Sequence, residues 1–134
     1  LLHIADPTGE AIKGAGLSTV GLLGTAFTME HDFYRGRLEK KHGLTVLTPD
    51  AGDRAVVHRI IYEELVAGRV LDASREAYRA VIARLVDRGA EAIILGCTEI
   101  MLLVSQADSP VPVFDTTTLH AMAAVELALK PANL

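Results

Sequence analysis

The one cysteine of this chain, Cys97, stands in the stretch AIILGCTEIMLL, between a glycine and the polar pair Thr98 and Glu99. A thiol placed where an apolar run meets a helix start would feel the positive end of the helix. That favours thiolate over thiol, relative to a free pKa near ~8.5. Thr98 offers a hydroxyl beside it, and Glu99 could orient the thiol or carry its proton. The competing reading makes Cys97 a small apolar filler and Glu99 a surface carboxylate in a first helical turn, where negative charge is favourable.

Two further clusters share this character. GTAFT (Gly24 to Thr28) puts Thr25 and Thr28 where a strand turns into a helix. Free N–H groups at a helix start attract carboxylate or phosphate, and threonine hydroxyls add donors. The same residues would serve as a plain N-cap, and neither the glycines nor the lysine of a phosphate loop are present. DTTT (Asp115 to Thr118) is the third cluster; there Asp115 reads as a cap for the next helix rather than a catalytic group. His120 follows closely and could touch the site, although a helix-surface or capping role explains it as well. His3, His31, His42, His58 and His120 show no metal-ligand spacing, so no metal site is expected. His31, His42 and His58 are expected to be solvated, as are the charges of RGRLEKKHG. Met101, Leu102 and Leu103 are expected to pack in the core.

Elements of a recognisable kind would position these clusters. STVGLLG (Ser18 to Gly24), LTVLTP (Leu44 to Pro49), AEAIILG and VPVFD read as strands, the apolar ones continuous rather than alternating. TMEHDFYRGRLEKKHG reads as one helix, pairing Met29 with Phe33 and Tyr34 with Leu38, with Gly43 as a stop. From Asp53 to Val66, Val56, Val57, Ile60, Ile61 and Leu65 line one helical face. From Ser74 to Arg88, Tyr78, Val81, Ile82, Leu85 and Val86 do the same, with Ser74 near the cap and Gly89 beyond the end. TTTLHAMAAVELALK closes the chain as a helix with Leu119, Met122, Val125 and Leu129 on one face. LLHI and the helix-like DPTGEAIKGAG precede the first clear strand. Buried strands alternating with amphipathic helices specify an α/β fold, a parallel sheet of about four strands flanked by helices. In such sheets ligands sit outside the carboxyl ends of the strands, where the three polar clusters fall.

Composition narrows the function classes. At 134 residues with half of them hydrophobic, the chain can build one real core. A net charge of −4 and the lack of a basic, aromatic-interleaved patch argue against nucleic acid as partner. No apolar run reaches the ~20 residues of a membrane span, and no signal peptide is visible. A single cysteine forms no internal disulfide, which fits a reducing, cytoplasmic setting.

Taken together, three stretches resemble one family. GCTEI resembles the second cysteine motif of the aspartate/glutamate racemases. VGLLGTAFTMEHDFY is similar to the opening of their second domain, with its Gly-Thr-x-x-Thr turn, and VFDTTTLHA to the segment that leads into their closing helix. The matches are in order and span nearly the whole chain. The resemblance implies a racemase that needs no cofactor, built of two similar α/β domains with the site between them. One cysteine from each domain would face opposite sides of the substrate α-carbon, a thiolate removing the proton and a thiol returning one. Carried over by residue, Cys97 would be the second-domain acid/base. Thr25, Thr28 and Thr98 would hold a carboxylate of a small acidic amino acid. Glutamate racemases usually have His after Cys-Thr; Glu99 stands there in this chain and resembles the aspartate branch. Aspartate is therefore the first expectation and glutamate the second.

The family's first motif, Cys-Asn-Thr, and its first-domain opening have no counterpart here. Residues 1–17 resemble the strand and helix that end the first domain, residues 18–115 the second domain, and residues 116–134 a closing helix that would return to the first. On that reading the chain is the C-terminal portion of a longer racemase, inactive alone, with the N-terminal domain as its natural partner. Apolar surface left around LLHIADP and the closing helix would then promote a homo-oligomer. The alternatives are a hydantoin racemase or an arylmalonate decarboxylase of the same superfamily, or a non-catalytic α/β module that binds a small anion.

Overall fold

The computed structural model describes residues 3–129. The chain runs α1 (Asp6–Gly14), β1 (Thr19–Leu23), α2 (Ala26–Glu30), α3 (Asp32–Lys40), β2 (Thr45–Leu47), α4 (Ala51–Ile60), α5 (Asp72–Asp87), β3 (Ala92–Leu95), β4 (Val113–Asp115) and α6 (Thr116–Leu129). A π-helical turn, Ile61–Leu65, extends α4, and 3-10 turns at Thr98–Leu102 and Gln106–Asp108 lie between β3 and β4. The four strands form one parallel sheet in the order β2-β1-β3-β4, the α/β architecture expected from the sequence.

Every residue of β3 is buried, because its alternate side chains serve two cores. Ile93 and Leu95 pack with Val57 and Ile60 of α4 and Tyr78, Ile82 and Leu85 of α5. Ala92 and Ile94 pack with Ile12 of α1 and Tyr34 and Leu38 of α3. The Tyr78 hydroxyl donates to the Val57 carbonyl at 2.8 Å, locking α5 to α4.

Several local expectations are corrected. The helix expected after β1 breaks at His31, whose backbone is extended (φ −86°, ψ 152°). The break has a packing cause: Met29 belongs to one core, whereas Tyr34 and Leu38 belong to the other. Phe33 is left exposed instead of pairing with Met29. The next helix begins at Ala51 because the Asp50 carboxylate caps the Asp53 N–H at 2.9 Å. Ser74 caps nothing; its hydroxyl donates to the buried Glu64 carboxylate. Ile100 and Leu103 are buried, but Met101 and Leu102 are exposed, since a 3-10 turn brings every third residue onto one face. Ile4 and Ala5 form a turn ahead of α1, closed by the Asp6 N–H on the His3 carbonyl at 3.0 Å, rather than a strand. Leu1, Leu2 and residues 130–134, parts of the expected first strand and closing helix, lie outside the described residues.

The charges of RGRLEKKHG are not simply solvated. Arg37 grips the Asp6 carboxylate with two N–H groups at 2.8 and 2.9 Å, Lys41 approaches it at 3.2 Å, and His42 Nε2 lies 2.9 Å away. Asp6 and His42 are both buried. The Arg37 hydrogen bonds, followed by those of His42 and Lys41, hold the Asp6 carboxyl far below the usual carboxylate range against the opposing effect of burial. On α6, Met122, Val125 and Leu129 are exposed. Among the described residues no helix is long and apolar enough to cross a membrane.

Candidate functional site at the sheet edge

Leu23, Leu95 and Asp115 stand level across three adjacent strands. The three polar clusters therefore emerge side by side at one edge. β1 connects to β2 on one side and has β3 on the other, so the chain reverses its direction of growth there. Ligands of open α/β sheets bind outside the carboxyl ends of the strands at such a point. Gly24–Thr28 and Gly96–Glu99 are the two segments that leave it.

The two segments touch. The Gly96 N–H donates to the Leu23 carbonyl at 2.7 Å. A Cβ built on Gly96 would meet that carbonyl oxygen at 2.9 Å and Thr28 Cγ2 at 3.1 Å. Only glycine lets Cys97 follow β3 so closely against β1. Gly96→Ala is expected to cost about 1–3 kcal/mol, because backbone must shift, and to displace Cys97 as it does so. A thermal melt and the labelling rate of Cys97 check both effects; an unchanged melt and unchanged labelling would contradict the crowding.

Cys97 has an extended backbone and is half-buried at the head of the Thr98–Leu102 turn. Its S–H donates to Glu99 Oε2 at 2.9 Å. Burial first, then the Glu99 hydrogen bond, pushes the Cys97 thiol up to about 11, and the same bond draws the Glu99 carboxyl below its ordinary range. The thiolate expected from a helix terminus is thus replaced by a thiol facing a carboxylate. A five-residue 3-10 turn cannot supply the field of a full helix, and the Glu99 carboxylate opposes a second negative charge. Cys97 packs against the core cluster that includes buried Tyr78, whose phenol is pushed well above the ordinary range by burial first, with Cys97 and Glu64 adding to the shift.

Threonine hydroxyls stand on the segments that leave the same sheet edge. Thr98 Oγ1 lies 3.2 Å from Thr117 Oγ1, and the Thr116 hydroxyl donates to the Leu95 carbonyl at 3.0 Å. Thr25 and Thr28 hydroxyls are 3.3 Å apart, and Thr25 Oγ1 accepts the Thr28 N–H at 3.4 Å as the N-cap of α2. Asp115 caps α6 through the Thr117 N–H at 3.0 Å. The structure thus brings Cys97, Glu99 and Thr98 together and sets the Thr25–Thr28 turn against Gly96. His120 is half-buried, and its Nδ1 has no hydrogen-bond partner among the described residues. A cavity of about 260 Å³ lies elsewhere, lined by Pro49, Asp50, Asp53 and Arg84 among others, and its Arg84 is engaged by Asp53 at 2.7 Å. Among the described residues no group of three His, Cys, Asp or Glu side chains could hold a metal ion.

Sequence reasoning missed His58. It is half-buried rather than solvated, and its Nδ1 accepts the Ala26 N–H at 2.8 Å. No sequence signal links residues 32 positions apart on different helices; only the packing of α2 on α4 reveals the pair.

A parallel sheet with a thiol–carboxylate pair and threonine hydroxyls at the carboxyl ends of its strands defines the class as α/β, with its candidate site at the switch point. Residues 1–124 match the Asp/Glu/Hydantoin racemase family, and the chain belongs to that family. Over 97% of its length it superposes on the crystal structure of a candidate Asp/Glu racemase from Yersinia pestis, with a TM-score of 0.94 and 58% identity. It superposes over 96% on an aspartate racemase homologue from Pyrococcus horikoshii OT3, with a TM-score of 0.87 and 38% identity. It is also 36% identical over 106 residues, 79% of this chain and 69% of the relative, to an uncharacterized protein of the pnlA 3′ region of Pectobacterium carotovorum subsp. carotovorum. The chain covers 56% of each of the two crystal-structure chains.

Proposed function

We propose that this chain supplies one half of the active site of an amino-acid racemase that works without a cofactor. Its first substrate is aspartate and its second glutamate. The observation that carries this reading is the Cys97 S–H held on Glu99 Oε2 at the switch point of the sheet. A thiol so held is an acid ready to deliver a proton to one face of a planar α-carbanion. Once it has done so, the thiolate beside a carboxylate is a strong base, suited to an α-proton of low acidity. Glu99 orients the thiol and stays ionised. Thr25, Thr28 and Thr98 supply neutral donors to a substrate carboxylate, which tolerate a neighbouring acidic group better than they would a second anion. The opposite face needs a second acid/base, and Cys97 is the chain's only cysteine. In this reading that group comes from a first domain, and the exposed apolar residues of α6 adjoin it.

The test compares this chain with the complete protein by circular dichroism, using both enantiomers of aspartate, glutamate and a substituted hydantoin. The complete protein is expected to racemise aspartate fastest, and this chain alone to show no turnover. Sustained turnover by the chain alone would overturn the half-site reading. Preference for the hydantoin would move the protein to the hydantoin branch.

A further inference from the structure

The Gly24–Thr28 turn opens a single short helical turn, closed by the Met29 N–H on the Thr25 carbonyl at 3.0 Å and the His31 N–H on the Phe27 carbonyl at 2.9 Å. α2 has five residues, its one side-chain cap is long at 3.4 Å, and it ends abruptly at the extended His31. Phe27, in its middle, is exposed. Yet Thr25 and Thr28 must keep their hydroxyls in place beside Gly96 if they are to hold a carboxylate. A short bond to the turn comes from another element. His58 of α4 accepts the Ala26 N–H through Nδ1 at 2.8 Å. Its ring is braced by Tyr62, with ring centroids 4.6 Å apart. A second, weaker tie joins the same helices, Arg54 to Glu30 at 3.5 Å. α4 is itself anchored by Val57 and Ile60, both buried, so His58 refers the turn to the core.

We propose that His58 is a positioning residue of the site, holding the Thr25–Thr28 turn through the Ala26 N–H in a neutral ring that carries its hydrogen on Nε2. The proposal rests on the reading of Thr25 and Thr28 as carboxylate holders. An acceptor at Nδ1 has to be unprotonated. The bond fixes the turn before substrate arrives, so its loss appears as weaker binding rather than slower chemistry.

The experiment uses His58→Leu and His58→Asn in the complete protein; the Asn side-chain oxygen can stand where Nδ1 stands. His58→Leu is expected to raise KM for the acidic amino acid by about tenfold, the worth of one such bond, with kcat changed far less. His58→Asn is expected to recover most of the loss. In this chain, nitrogen NMR should show an unprotonated Nδ1 at His58, and the Ala26 amide should lose exchange protection in His58→Leu but keep it in His58→Asn. Should His58→Leu not fold, His58→Gln replaces it, since its amide reaches the Nε2 position instead. Unchanged KM in His58→Leu with an active wild type, or a protonated Nδ1, would overturn this proposal alone. A wild type that neither binds nor racemises any acidic amino acid would overturn the functional reading and this proposal with it, while the Ala26 measurement would still report whether His58 holds the turn.

Discussion

Cys97→Ser in the complete protein is expected to slow racemisation by about 10²- to 10⁴-fold, the usual contribution of a positioned acid/base group. Serine preserves size and can still donate to Glu99, so melting should stay close to wild type. What changes is the proton inventory. The Cys97 thiol, though raised to about 11 by burial and by Glu99, remains far more acidic than an alcohol. Its conjugate base is reachable at the site, and that of serine is not. Glu99→Gln separates the partners differently. It removes the charge that opposes the thiolate, so the Cys97 titration should move down toward the ordinary thiol value as activity falls. The ultraviolet absorbance of the thiolate follows that titration. An unmoved Cys97 in Glu99→Gln would show that the carboxylate is a bystander.

The second large effect belongs to stability. Asp6 sits buried under Arg37, Lys41 and His42, and ties α1 to α3. Asp6→Ala is expected to cost about 2 kcal/mol, the upper part of the range for a charged hydrogen bond, discounted because Arg37 and Lys41 reach solvent. The pH dependence has a definite sign. The folded carboxyl titrates below its unfolded value of about 3.9, so its stabilisation is complete above that pH and is lost as pH falls toward the folded value. Asp6→Asn should therefore be less stable than wild type at neutral pH, and over the interval below about pH 4 the gap should narrow steadily as pH falls. Denaturant melts across that interval measure it. A constant gap would mean that Asp6 stabilises through packing rather than charge.

The α/β class and the three polar strand ends were legible because each rests on local pattern. The buried run Ala92–Leu95 needs no partner to announce a central strand. The residues misread were those whose environment comes from far along the chain. His42 and Arg37 look like a charged helix surface until Asp6 arrives from α1. His58 looks solvated until α2 lays the Ala26 N–H on it. Met101 and Leu102 look like core until a 3-10 turn replaces the expected helix and changes which residues share a face. The ionisation of Cys97 was misjudged for a related reason: residue order places Glu99 two positions away, but not which way its carboxylate points. The break at His31 likewise follows from two cores competing for Met29 and Tyr34, which helical periodicity alone does not encode.

The most direct test of the account is α-deuterium incorporation during racemisation in heavy water, followed from each enantiomer of aspartate in the complete wild-type protein and in Cys97→Ser. With acid/base groups on both faces, wild-type product should carry solvent deuterium from the first turnovers while recovered substrate stays largely unlabelled, and Cys97→Ser should form almost no labelled product from either enantiomer. Near-normal rates and near-normal deuterium incorporation in a Cys97→Ser protein of wild-type thermal stability would remove Cys97 from the mechanism and leave it a packed thiol at the end of a strand.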